Sequence, residues 1–221
     1  AARWMVSMER EILHKTQSRE GELPQHVPLD KLNDAIQAFE AAKGFQISPE
    51  QREAVEHLTI NTGGVGVLSG LAGTGKTTVS QIYAEAFKAD GRTVLGACVS
   101  NDAAEKLHQE SGLSCTSVAK LISDLGKSKL KLTDKHVVVL DEAGMVDSRQ
   151  TRDLMAYCQK AGAKLILQGD QEQIQPVGAG SGMSIAKDAI GDAKLTEIRR
   201  QKNAQDRHTA GLFYNYGADG K

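Results

Sequence analysis

The eight residues Gly70-Leu-Ala-Gly-Thr-Gly-Lys76-Thr77 constrain this chain more than any other stretch. Glycines at this spacing let a backbone wrap an anion closely, with its N–H groups turned inward. The Lys-Thr pair that follows supplies a cation and a hydroxyl. The pattern G-x-x-x-x-G-K-[ST] binds phosphate when a strand leads into it and a helix leads out. Both conditions hold. Val65–Ser69 is a short apolar run, and Lys76–Lys88 carries helical spacing. The helix N-terminus adds partial positive charge. Lys76 is expected to reach the β- and γ-phosphates of ATP, and the Thr77 hydroxyl to bind Mg²⁺. Gly73, Thr74, Gly75 and Thr78 complete the expected cradle. Glycine is 22 of 221 residues, above the usual 7% or so. The cluster Gly64, Gly66, Gly70, Gly73 and Gly75 is expected to serve this loop.

The rest of the pattern makes that loop part of an α/β fold. Strands are expected at Val65–Ser69, Thr93–Val99, Val137–Leu140 and Lys164–Gln168, with a weaker one near Lys194–Thr196. Helices are expected at Lys76–Lys88, Asp102–Glu110, Ser117–Leu125, Ser148–Ala161 and near Ser184–Ile190. Strands alternating with helices imply βαβ units and a parallel sheet with helices on both faces. The run Val137–Leu140 is apolar throughout, as a strand buried on both sides should be. A helical lead-in precedes this core. Met5, Met8 and Ile12 fall at helical spacing. A second helix opens at Asp30, buries Leu32, Ile36 and Phe39, and stops at Gly44. Ser48-Pro-Glu-Gln51 reads as a helix start with a capping box.

Two further segments carry chemistry. Val137-Val-Val-Leu-Asp141-Glu142 ends a buried strand in two carboxylates. Asp141 is expected to hold the metal through water and Glu142 to polarise an attacking water. Leu165-Ile-Leu-Gln-Gly-Asp170-Gln-Glu-Gln173 ends another strand in a polar loop at the same edge, where ligands of open α/β sheets sit. The neutral amide of Gln173 can donate to a phosphate oxygen.

Taken in order, GLAGTGKTT, VVLDEAGM, GDQEQIQPVGAG and LTEIRRQ resemble motifs I to IV of RecD-like superfamily-1 helicases, and ISPEQREAV resembles their Q motif. Together with MEREIL, DEAGMVDSRQ and AGAKLILQGD, the chain is similar to the helicase part of conjugative relaxases of the TraA/MobA type. The resemblance implies a RecA-like P-loop domain at 46–201, a lead-in at 1–45 and the start of a second motor domain at 202–221. It implies that Gln51 reads adenine, in competition with its capping role. It implies that Gln173 links the γ-phosphate to the DNA side. Arg200, rather than its neighbour Arg199, would touch the γ-phosphate. Ser100, Asn101 and Thr116 would contact single-stranded DNA. Asp102 stands where the family carries a cation and reads instead as the cap of the following helix. Lys127, Lys129 and Lys131 read as a small basic hairpin, solvated by default.

Composition narrows the partners. With 27 basic against 28 acidic groups the chain is no cationic nucleic-acid sponge, though a local basic groove is compatible with that balance. No run approaches 18 apolar residues, so no membrane segment is expected and the expected setting is the bacterial cytoplasm. Cys98, Cys115 and Cys158 lack metal spacing and read as buried free thiols. A second RecA-like domain and a DNA-nicking relaxase domain of the same parent chain are the implied partners, which makes these residues a piece of a longer protein. The expected activity is Mg-ATP hydrolysis coupled to movement on single-stranded DNA. The competing readings are a non-catalytic nucleic-acid-binding scaffold and another P-loop phosphotransferase.

Overall fold

The computed structural model describes residues 2–71, 73–170 and 181–197. Among them a six-stranded, all-parallel sheet runs in the order β3-β2-β4-β5-β1-β6. The strands are β1 (Val65–Gly70), β2 (Thr93–Cys98), β3 (Ser114–Ser117), β4 (His136–Leu140), β5 (Lys164–Gly169) and β6 (Ala193–Leu195). The helices are α1 (Arg3–Gln17), α2 (Leu29–Lys43), α3 (Pro49–Thr59), α4 (Lys76–Ala89), α5 (Asn101–Ser111), α6 (Val118–Gly126), α7 (Ser148–Ala161) and α8 (Gly182–Ile190). The α/β architecture, with a helix ahead of the core and helices on both faces, is the one expected.

Strand pleating sorts the core into two layers. Val138, Leu140, Leu165 and Leu167 turn to one face, where they meet Met8 and Ile12 of α1, Leu121 of α6, Leu154 of α7 and Met183 of α8. Val137, Val139 and Ile166 turn to the other, against Leu32 and Ile36 of α2, Val55 and Leu58 of α3, and Ile82 and Phe87 of α4. The near-continuous apolar runs of β4 and β5 follow from this, since both their faces are covered. Each Val, Leu or Ile so buried stabilises by about 1.5–3 kcal/mol.

Three expectations change here. The edge strand β3 was not expected; its residues Ser114–Ser117 are too polar to announce a strand, and its half-buried edge position explains why. The helix α5 is capped by Ser100, whose Oγ accepts from the Ala103 N–H at 3.1 Å, so Asp102 lies in the first turn and is not the cap. Lys127, Lys129 and Lys131 sit exposed on a turn after α6, with no strand pairing to make a hairpin. The thiols of Cys98 and Cys158 are buried and Cys115 is half-buried; all three are free.

The lead-in is bonded to the amino-terminal edge of the sheet. The Arg19 guanidinium forks onto Glu22 at 2.8 and 2.9 Å. The Arg19 carbonyl accepts from the Gly64 N–H at 2.9 Å. Gln25 donates to the Gly162 carbonyl at 2.7 Å, and Arg92 donates to Gln25 at 2.9 Å and to the Pro24 carbonyl at 2.5 Å. The glycine cluster divides accordingly. A Cβ on Gly63 would stand 2.1 Å from the Arg19 carbonyl oxygen, and one on Gly64 would stand 2.2 Å from the Arg19 side chain. These glycines, and Gly66 against Leu58, admit neighbouring chain rather than phosphate.

Beside this contact lies Lys164, fully buried, donating to the Thr62 carbonyl at 3.2 Å and its hydroxyl at 3.1 Å. Burial, with the charges of Arg92 and Arg19 added, pushes its amino group down to about 7, against a smaller pull from Glu22. An unfolded lysine titrates near 10.4. Between those values the unfolded chain holds the proton and the folded chain does not, so stability rises with pH across that window. Urea unfolding from pH 7 to about 9.5 is expected to show the wild type gaining steadily on Lys164→Met. Parallel pH curves for the two would contradict the assignment.

Candidate nucleotide and metal site

The site forms where β1, β5 and β4 end side by side. After β1 the chain turns through Gly73 (φ 80°) and Gly75 (φ 89°) into α4. Gly75 is the N-cap of α4 and contributes no side chain, so the first N–H groups of the helix face the loop without a side-chain partner. The Thr74 hydroxyl donates back to the Leu71 carbonyl at 2.6 Å and closes the turn. Lys76 Nζ donates to the Gly70 carbonyl at 2.5 Å, across the mouth of the loop. Thr77 is exposed and Thr78 half-exposed at the head of α4. Gly75 is required twice over: its φ is left-handed, and a Cβ there would stand 2.4 Å from Gln51 Nε2.

That contact brings Gln51 to the loop. The capping box is formed: Ser48 Oγ accepts from the Gln51 N–H and Gln51 Oε1 accepts from the Ser48 N–H, each at 3.0 Å. The amide oxygen is thus committed to the start of α3, and the amide nitrogen lies against Gly75. The neighbouring Glu50 carboxylate accepts from the Thr196 N–H at 2.7 Å, the Thr196 hydroxyl at 2.6 Å and the Glu197 N–H at 3.2 Å. It therefore fixes the start of the LTEIRRQ segment beside the loop.

Asp141 follows β4. Its N–H donates to the Ala97 carbonyl at 2.8 Å, continuing the ladder onto β2. Its Oδ1 accepts from Gln168 Nε2 at 3.1 Å. Burial raises the Asp141 carboxyl above the usual carboxylate range, and the Gln168 hydrogen bond, the Glu142 N–H and the charge of Lys76 oppose that rise. Lys76 and Asp141, far apart in sequence, thus share one electrostatic environment. Glu142 adopts φ 51°, ψ 38°, a left-handed conformation that a non-glycine residue holds at a cost of order 1 kcal/mol or more. It opens the short helical turn Ala143–Met145. A Cβ on Gly144 would stand 3.3 Å from the Asp170 carbonyl oxygen, so the loops after β4 and β5 touch.

The donor set fits Mg²⁺. Among the described residues no group of three or more His, Cys, Asp or Glu side chains could hold a metal by itself. Mg²⁺ is commonly held by one or two carboxylates together with substrate phosphates and water. Asp141 and the Thr77 hydroxyl offer that kind of partial shell.

The other expected residues divide between the same edge and the undescribed segments. Ser100 and Asn101 lie where the chain passes from β2 into α5, and Thr116 lies near the end of the adjacent β3, paired with Ala97. The Ser100 oxygen caps α5, which leaves its O–H proton for an outside acceptor. Gln173, Arg199 and Arg200 lie outside the described residues. Sequence reasoning missed Gln168, Tyr83, Ser80 and Glu50. Gln168 had a visible signal: an amide in an otherwise apolar strand must find partners once buried.

Similarity to known proteins extends over most of the chain. A family model described as "AAA domain" matches residues 46–216. The probable conjugal transfer protein TraA of Sinorhizobium fredii is 40% identical over 157 residues, covering 71% of this chain and 14% of that protein. The conjugal transfer protein TraA of Agrobacterium fabrum is 33% identical over 171 residues, 77% of this chain and 16% of that protein. The ATP-dependent RecD2 DNA helicase of Deinococcus radiodurans is 29% identical over 181 residues, 79% of this chain and 24% of that protein. The chain therefore spans a small part of the length of these curated relatives. Among the described residues no helix is long and apolar enough to cross a membrane.

The raised Asp141 carboxyl has a consequence for stability. A carboxyl lifted in the folded state holds its proton to higher pH there than in the unfolded chain, so stability falls as pH rises through that interval. Asp141→Asn is expected to raise the melting temperature of the nucleotide-free chain at neutral pH. That advantage should disappear at about pH 3.5, below the unfolded carboxyl range. A lower melting temperature for the variant at pH 7 would contradict it.

Proposed function

The chain belongs to the AAA domain family, and from that premise we propose that it is the ATP-binding first motor domain of a helicase acting in conjugative DNA transfer. The observation that carries this reading is the convergence of the glycine loop, Lys76 and the half-buried Asp141 at the carboxyl ends of two parallel strands held apart by β5. The similarity to two TraA proteins and to a RecD2 helicase supports the choice of process and of nucleic acid.

In this reading the β- and γ-phosphates lie on the N–H groups of the loop, from Gly73 through Thr78, with Lys76 withdrawn from the Gly70 carbonyl to meet them. Gln51, its oxygen held by the cap, offers adenine a single donor through Nε2. When bound, Mg²⁺ would supply positive charge that offsets the negative charge of the phosphates. Thr77 and Asp141 would hold it. Glu142 accepts a proton from water as the water oxygen bonds to the γ-phosphorus; the bond to the bridging oxygen breaks, giving ADP and phosphate. Gln173 and Arg200, which come after β5 and β6 in the sequence, would contact the γ-phosphate. Single-stranded DNA would run past Ser100, Asn101 and Thr116 by backbone contacts.

We take residues 46–201 as this motor domain and 202–221 as the lead into a second RecA-like domain, which would complete the cleft. A relaxase domain of the same parent would supply DNA nicking, and the setting would be the bacterial cytoplasm. An arginine contributed from outside the domain can be worth 10³ or more in rate. The 221-residue chain is therefore expected to bind Mg-ATP and to turn it over slowly. Mg-ATP at 100 times its dissociation constant should add about 2.7 kcal/mol of stability, read as a rise in melting temperature. Lys76→Ala should lose that rise. No rise in the wild type, or an equal rise in the variant, would contradict nucleotide binding at this loop.

A further inference from the structure

Gln168 is the penultimate residue of a strand flanked on one side by the strand of the glycine loop and on the other by the strand of Asp141. It is 2% exposed and pairs in register with Leu68 of β1, while the residue before it, Leu167, pairs with Leu140 of β4. Both polar atoms of its side chain are engaged. Nε2 donates to Asp141 Oδ1 at 3.1 Å. Oε1 accepts from the hydroxyl of Tyr83 at 2.6 Å and from that of Ser80 at 3.0 Å. Tyr83 and Ser80 are both fully buried, and both belong to α4, the helix that begins with Lys76 and Thr77. Ser80 Oγ also lies 2.8 Å from the Lys76 carbonyl, so its single proton is shared between the two acceptors.

Chemistry fixes the orientation of this amide. An ionised carboxylate only accepts, so the NH₂ must face Asp141 and the oxygen must face the two hydroxyls. A turned amide would set oxygen against oxygen at Asp141. The result is a rigid bridge across three elements: the helix of the glycine loop, the central strand β5, and the strand end that presents Asp141. Buried hydrogen bonds of this kind are costly to leave unmade, which gives the bridge its stiffness.

We propose that Gln168 is a positioning residue for the metal side of the nucleotide site. By tying Asp141 Oδ1 to Tyr83 and Ser80, it sets the separation and orientation between Asp141 and the Thr77 end of α4. This inference rests on the nucleotide-binding reading given above and names a residue which that reading does not use. Gln168 touches neither phosphate nor metal; it acts through Asp141. Partners that orient metal-holding carboxylates typically change metal affinity by 10–100-fold when removed. The bridge therefore has a signature that loss of packing lacks. It should alter the Mg²⁺-dependent part of nucleotide binding and spare the part that the loop supplies without metal.

The test compares wild type, Gln168→Met and Tyr83→Phe as the 221-residue chain. Binding of ATPγS is measured by titration calorimetry in EDTA and across a Mg²⁺ series. Gln168→Met keeps the length and removes every hydrogen bond. It is expected to shift the Mg²⁺ midpoint upward by about tenfold or more, with ATPγS affinity in EDTA unchanged within about twofold. Tyr83→Phe keeps the ring and removes one of the two bonds that hold the amide oxygen. It is expected to shift the midpoint in the same direction by less, and it decides the matter if Gln168→Met does not fold. An unchanged midpoint in folded variants, or an equal loss with and without Mg²⁺, would overturn the positioning role while leaving nucleotide binding intact. Failure of the wild type to bind ATPγS under either condition would overturn the nucleotide reading and this inference with it.

Discussion

The carboxyl edge of this sheet depends on the burial of β5 between β1 and β4. Lys164–Gly169 is covered on both faces and hydrogen-bonded on both sides, so it has almost no freedom to shift. It holds the glycine loop and Asp141 one strand apart. A sheet that joined β1 directly to β4 would crowd the loop against the carboxylate. One strand between them sets their two parent strands about 10 Å apart, and Gln168 lies on that strand. Burial dominates the rise of the Asp141 carboxyl. Hydrogen bonds, rather than water, then decide where that carboxylate points.

At the opposite edge the constraint is different. There the lead-in lays Arg19 against chain that a side chain would block, and Gly63 and Gly64 make room, while Gln25 bonds Gly162 and Val27 bonds Thr59. Lys164 begins the same strand whose far end carries Gln168. The two ends of β5 are thus polar plugs in an apolar layer, one bonded to Thr62 and one to Asp141. Both cost stability by desolvation and recover part of it through hydrogen bonds. The Asp141 end exchanges some stability for a carboxylate held ready for a cation.

Much of this was legible in the residues. The alternation of apolar runs with helical spacing located five of the six strands, missing β3 because an edge strand of four small polar residues has no hydrophobic pattern to read. The capping box at Ser48 and Gln51 followed from spacing alone, because a cap is a local interaction. The DEAG and GKT motifs could be assigned to one edge because parallel strands bring all their carboxyl ends together. What escaped was contact between distant segments. Nothing local distinguishes Gly63 and Gly64 from the glycines of the phosphate loop. Nothing local tells that Tyr83 and Ser80 turn toward Gln168, or that Glu50 takes hold of Thr196. Ser100 rather than Asp102 caps α5 because the helix starts two residues earlier than a cap at Asp102 would allow.

The central claim is that this edge recognises phosphates beyond the first. Titration calorimetry of the chain with ADP and with AMP, each with Mg²⁺, tests it most directly. The loop and Lys76 engage the β-phosphate that AMP lacks, so ADP should bind at least about tenfold more tightly than AMP. Equal affinity for the two, or binding of neither, would contradict it.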